Sequence, residues 1–191
     1  MDARAQSGSS AGSAEFLGWA GLARTAPLAT TASAVVTLRF LLGHADTDPA
    51  LVAPWAREPA AALKFPLGPP VPVYVGAMGP KMLAMAGEHA DGALPLLYPP
   101  ETYAAARAAV LSGADAAPPG RALDIPACFW VSLSDDPARA RAALAEKLAY
   151  YGPSFAAPLL AQAGLAPGDF AAAAALRPLC ASAAAGAAPP R

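Results

Sequence analysis

The stretch Val71-Pro72-Val73-Tyr74-Val75-Gly76-Ala77-Met78-Gly79-Pro80-Lys81-Met82-Leu83 carries the reading of the fold. Its first five residues form a short apolar strand with the proline near the start, where a sheet tolerates a missing donor. Pro80 suits the first position of a helix, and Met82, Leu83, Met85 and Ala86 fall on one helical face that ends near Gly87. A strand thus passes through a glycine-containing turn straight into a helix. At such a place the first helical amides are unpaired and carry the positive end of the dipole, and glycines let an anion approach the backbone. Lys81 adds a charge. The glycine spacing is neither that of a Walker A loop nor GxGxxG, and no Lys-Ser/Thr pair follows, which sets a P-loop phosphotransferase aside.

Working outward, the same pattern recurs. Asp91-Gly92 turns the chain into a second apolar run, Ala93 to Leu97, too short for a helix. Pro99-Pro100-Glu101 then opens a helix with Tyr103, Arg107, Val110 and Leu111 at helical spacing and Gly113 as its stop. Ile125 to Leu133 is nearly continuous apolar sequence and predicts a third strand, buried on both faces. Asp135-Asp136-Pro137 is a helix start, with Leu144, Leu148 and Tyr151 on the inner face and Gly152-Pro153 as the break. Phe155 to Ala163 forms a shorter helical stretch. Upstream, Ala34 to Gly43 reads as a short helix, and His44 to Pro70 as an irregular connection anchored by Trp55, Phe65 and Leu67. The fold class is α/β: three strand–helix units with parallel strands and right-handed crossovers. Residues 34–170 make the single domain, between a poorly ordered Ser/Gly/Ala leader (1–33) and a frayed Ala-rich tail (171–191).

Composition excludes several classes of function. The 191 residues carry a net charge of −1, with no basic stripe for nucleic acid. No run reaches the ~18 apolar residues needed to cross a bilayer. The apolar patch Phe16 to Ala23, with Asp2 before it, Glu15 beside it and Arg24 ending it, does not read as a secretory signal, so a soluble cytoplasmic protein is expected. Cys128 and Cys180 lie far apart and indicate neither a metal site nor a disulfide.

Val71 to Pro95 as a whole resembles the segment that ends the sixth strand and enters the seventh in luciferase-like monooxygenases, most closely their deazaflavin (F420) dependent branch. Ser134 to Arg141 and Leu148 to Gly152 resemble the family's final strand and helix. The resemblance implies a partial (β/α)8 barrel, its last three βα units, and an oxidoreductase that works by hydride transfer with F420 or, alternatively, by FMN-dependent monooxygenation of a small organic substrate. It implies that Gly76, Ala77, Met78, Gly79, Pro80 and Lys81 hold the cofactor's phosphate and that Leu94, Pro95 and Leu96 lie beside the cofactor. No catalytic acid, base or nucleophile is assigned. Such barrels run to typically ~250 residues, so the chain reads as a truncated C-terminal portion behind an unrelated leader. The alternative is an inactive fragment that keeps the phosphate loop, or an interaction module whose open sheet edges pair with another copy or another chain. Glu88, His89 and Asp91 sit where a helix returns to a strand's N-terminal end and read as structural, with Asp91 shaping the turn. His44 reads as a solvated bystander.

Overall fold

A computed structural model describes residues 7–9, 14–155 and 157–172. The chain divides into two units, with the boundary in sequence between Phe129 and Trp130.

The first unit is built on a parallel sheet of strands β1 (Ser7–Ser9), β2 (Val73–Ala77) and β3 (Gly92–Pro95), in that order. Val75 stands between Ser9 on one side and Ala93 on the other, and Val73 and Val75 are fully buried. Helix α1 is Ala14–Trp19 and helix α2 is Pro27–Leu41. Two expectations about the leader are thereby corrected. Residues 7–9 supply a strand of the sheet, and the helix expected from Ala34 begins at Pro27, which fits the first helical position that the Val35–Leu42 periodicity alone could not locate. Gly43, with φ 83°, takes the left-handed conformation that ends α2, as expected for a C-terminal stop.

Helix α3 (Pro80–His89) follows β2, and α4 (Tyr103–Ala114) follows β3. Gly87 and Gly113, expected as helix stops, lie inside these helices and serve their contact instead. A Cβ on Gly87 would come within 1.9 Å of Val110 O, and one on Gly113 within 1.8 Å of Ala84 O. The two backbones meet without side chains between them.

The third expected strand does not form as a ladder. The segment from Asp124 meets β3 through two isolated parallel bridges, Gly92–Asp124 and Leu96–Cys128. Pro126 interrupts donation between them. Phe129, Val131 and Leu133 are exposed, Leu133 by 92%, so the expectation of burial on both faces is wrong. An apolar run is buried on both faces only where both are covered, and among the described residues they are not. The ring of Tyr74 lies where a side chain at Gly92 would be, and its hydroxyl donates to Asp124 Oδ2 at 2.7 Å. Burial, then the Asp124 carboxylate that accepts its proton, pushes the Tyr74 phenol up to about 12.

The second unit contains α5 (Pro137–Tyr151), a 3₁₀ turn over Gly152–Ser154, α6 (Ala157–Gln162) and a further 3₁₀ turn over Pro167–Phe170. The helix start was legible: Asp136 Oδ1 accepts the Ala138 amide at 2.8 Å, with Pro137 in the first turn. Its inner face was not. No residue of α5 is buried, Leu148 is exposed, and Leu144 and Tyr151 are half-buried. Trp130 gathers Tyr151 and Phe155 at ring distances of 5.5 and 6.0 Å, and Phe170 packs on Gly152. Of the expected tail, residues from 173 onward, Cys180 included, lie outside the described residues.

Two outcomes follow from this packing. Gly87→Ala forces the α3 and α4 backbones apart and is expected to lower unfolding free energy by about 3 kcal/mol in urea titration. Because the folded Tyr74 pKa lies above its ordinary 10.0, its contribution to stability is complete below that value and is lost as pH rises through about 12. Unfolding measured between those limits should show a slope that Tyr74→Phe removes.

Candidate functional site

In a parallel sheet the helices return the chain so that every strand points the same way, which gathers the loops after β2 and β3 at one edge. The register confirms this for the expected residues: Gly76 pairs with Leu94, Ala77 with Pro95, and the Leu96 amide donates to Ala77 O at 3.0 Å. The two sets of residues expected at a cofactor, Gly76 to Lys81 and Leu94 to Leu96, are therefore neighbours. Gly76 and Ala77 belong to β2 itself, Met78 and Gly79 make the turn, and Pro80 and Lys81 open α3.

The start of α3 has no side-chain cap. Met82 and Leu83 both donate to Gly79 O, at 3.1 and 3.0 Å, and Pro80 has no N–H. The Gly79 and Lys81 amides make no hydrogen bond to a described residue. They are the donors a helix start leaves for an anion. A Cβ on Gly79 would meet nothing within 4 Å, and the Lys81 side chain is exposed. The place has donors, a positive dipole end, an exposed cation and room. These fit a phosphate.

Two residues of this edge were missed in the sequence. Leu97, directly after the expected trio, has φ 60°, a left-handed conformation that a branched side chain rarely takes, and its amide donates to Cys128 O at 3.2 Å. Tyr98 is 3% exposed and its hydroxyl donates to Met78 O at 2.7 Å. A buried tyrosine needs an acceptor, which was a usable signal, but only the fold could say which one.

The titratable residues lie at the other end of the strands. Arg39, 1% exposed, donates from Nη1 to Asp91 Oδ1 and from Nη2 to Asp46 Oδ1, each at 2.5 Å. Asp91 Oδ2 accepts the Val73 amide at 2.8 Å. Asp91, expected to shape the turn before β3, fastens α2 to the start of β2. Burial alone would raise the Asp46 carboxyl, but the Arg39 guanidinium outweighs it and holds Asp46 below the usual range. His44 is not the solvated bystander expected: its side chain is 9% exposed and its Nε2 lies 3.0 Å from Val71 O. Glu88 and His89 face each other loosely at 3.6 Å. Arg121 bonds the Gly87 and Glu88 carbonyls, and burial, then the charge of Arg39, lowers its pKa. A cavity of about 360 Å³ opens here among Arg39, Asp46, Glu88, His89 and Arg121, away from the Gly76–Lys81 loop. Among the described residues no group of three or more His, Cys, Asp or Glu could hold a metal, and no helix is long and apolar enough to cross a membrane.

The family model for luciferase-like monooxygenases matches residues 8–186. The chain belongs to that family. The match begins within β1, so most of the stretch expected to be an unrelated leader lies inside it. The chain is also similar to a 5,10-methylenetetrahydromethanopterin reductase of Methanolobus tindarius, 34% identical over 127 residues, which cover 64% of this chain and 37% of that protein. The chain thus spans little more than a third of that relative. Both comparisons agree with the resemblance carried by Val71 to Pro95: the family model is one of monooxygenases and the relative is named a reductase.

Removing the Asp91 carboxylate would leave the Arg39 cation buried with only one partner. Asp91→Ala is expected to cost about 3 kcal/mol in denaturant unfolding, and Asp91→Asn less, since its amide oxygen still accepts the Val73 N–H.

Proposed function

We propose that this luciferase-like protein binds a phosphate-bearing deazaflavin or flavin, F420 or alternatively FMN, at the C-terminal ends of β2 and β3, as part of a (β/α)8 barrel oxidoreductase. The observation that carries this is the pair of free amides, Gly79 and Lys81, at an uncapped helix start with open space before it. In this reading the turn Gly76 to Pro80 receives the phosphate, Lys81 neutralises part of its charge, and the helix dipole adds to both. Pro95, fully buried, and the half-buried Leu94 and Leu96 form an apolar wall that keeps water from the cofactor's flank.

When bound, the cofactor supplies hydride chemistry, and this chain's residues supply its place and orientation. The reductase relative favours hydride transfer over oxygen insertion. The substrate is read as a small organic molecule that accepts or gives that hydride. No side chain at this edge among the described residues is an evident acid, base or nucleophile, so the part assigned to the chain is binding.

Titration with F420 and with FMN, followed by cofactor fluorescence, tests this. Saturable binding of one of them is expected. Binding of neither at near-millimolar concentration would overturn it. Gly79→Asp, which sets a carboxylate into the open space where the phosphate is placed, is expected to weaken binding by about 100-fold or more; unchanged affinity would show the loop assignment to be wrong.

A further inference from the structure

We propose that Tyr98 is a positioning residue that aims the Gly79 amide at the bound phosphate. The inference rests on the cofactor reading above and goes beyond it, by naming what holds the phosphate loop in its receptive shape. The Gly79 carbonyl is held by the Met82 and Leu83 amides, but no side chain caps the turn and nothing packs where a Gly79 Cβ would be, so the Met78–Gly79 peptide needs another anchor. The Tyr98 hydroxyl, however, holds Met78 O at 2.7 Å. Met78 O and the Gly79 N–H belong to the same peptide unit. That unit is trans, since no cis bond is present among the described residues, so its N–H points opposite to its carbonyl. Fixing the carbonyl on Tyr98 therefore fixes the Gly79 N–H on the far side.

Tyr98 is itself fixed. It is 3% exposed, and it follows the left-handed Leu97, whose amide is held by Cys128 O. The Leu96 amide, one residue before Leu97, holds Ala77 O, so the segment after β3 grips two successive residues, Ala77 at the end of β2 and Met78 in the turn. A bulky residue kept at positive φ needs surrounding structure that over-determines it, and this double grip supplies that structure.

The test compares ligands with and without the phosphate group, the FMN pair differing in that group alone and the F420 pair also in the tail beyond its phosphodiester. FMN is paired with riboflavin, which has the same ring and ribityl chain without the phosphate, and F420 with its deazaflavin–ribityl chromophore lacking the phosphodiester. Wild-type protein should bind the phosphate-bearing member more tightly. Tyr98→Phe should lose about tenfold of that preference, by weakening the phosphate-bearing ligand and leaving the phosphate-free one unchanged. Tyr103→Phe, which deletes another hydroxyl-to-carbonyl bond, that to Ile125 O, should keep the wild-type preference. The preference is a ratio within one folded protein, so a general loss of stability does not move it. If wild-type protein shows no preference for phosphate, the cofactor reading fails and this inference with it. If wild-type prefers phosphate and Tyr98→Phe prefers it equally, the cofactor reading stands and the role of Tyr98 is overturned.

Discussion

A buried guanidinium holds the first unit together. Arg39 comes from a helix that ends more than thirty residues before β2, yet it bonds the carboxylate of Asp91, just before β3, and that carboxylate also accepts the first amide of β2. One ion pair thus fixes the distance between α2 and the N-terminal ends of two strands. A charge so deeply buried is tolerable only when fully paired, and Asp46 completes the pairing. The constraint is reciprocal: the strands must lie in this register for Asp91 to reach both partners.

From that fixed end the rest follows by reach. With the strand starts pinned, β2 and β3 deliver Ala77 and Pro95 side by side at the opposite edge. The helices that return the chain pack backbone to backbone at Gly87 and Gly113, which brings α3 and α4 close enough to lie over a narrow sheet. The start of α3, with its unpaired amides, then has nowhere to be but beside the end of β3. Charge and chemistry are segregated accordingly. Arg39, Asp46 and Asp91 gather at the N-terminal ends of the strands, where they brace the fold, and the other edge offers backbone donors, small residues, apolar cover and the exposed Lys81.

Much of this was legible in the chain. The β2–turn–α3 unit, the second unit after Asp91-Gly92, the Asp136 cap and the Gly43 stop each depend on residues within a few positions of one another, and local patterns report local structure. The neighbourhood of Gly76–Lys81 and Leu94–Leu96 could be anticipated, because parallel strands joined by helices leave little choice. Residues whose role depends on a distant partner were read wrongly or not at all. His44 meets Val71 O, Gly87 meets Val110 O and Tyr98 meets Met78 O, and none of these partners is marked in the sequence around it. Ile125 to Leu133 failed for a related reason: an apolar run states that it is able to be covered, not that cover is present.

The sequence by itself determined the α/β character and the place of the glycine turn between β2 and α3, because propensity, capping and glycine spacing act over a handful of residues, and its likeness to luciferase-like monooxygenases pointed to the family. Only the tertiary structure decided that residues 7–9 join the sheet, that Arg39 and Asp91 meet, and that a tyrosine hydroxyl grips the turn beside Gly79. Those contacts join residues some 20 to 70 positions apart, and at that separation a partner is chosen by packing in three dimensions, which no local pattern encodes.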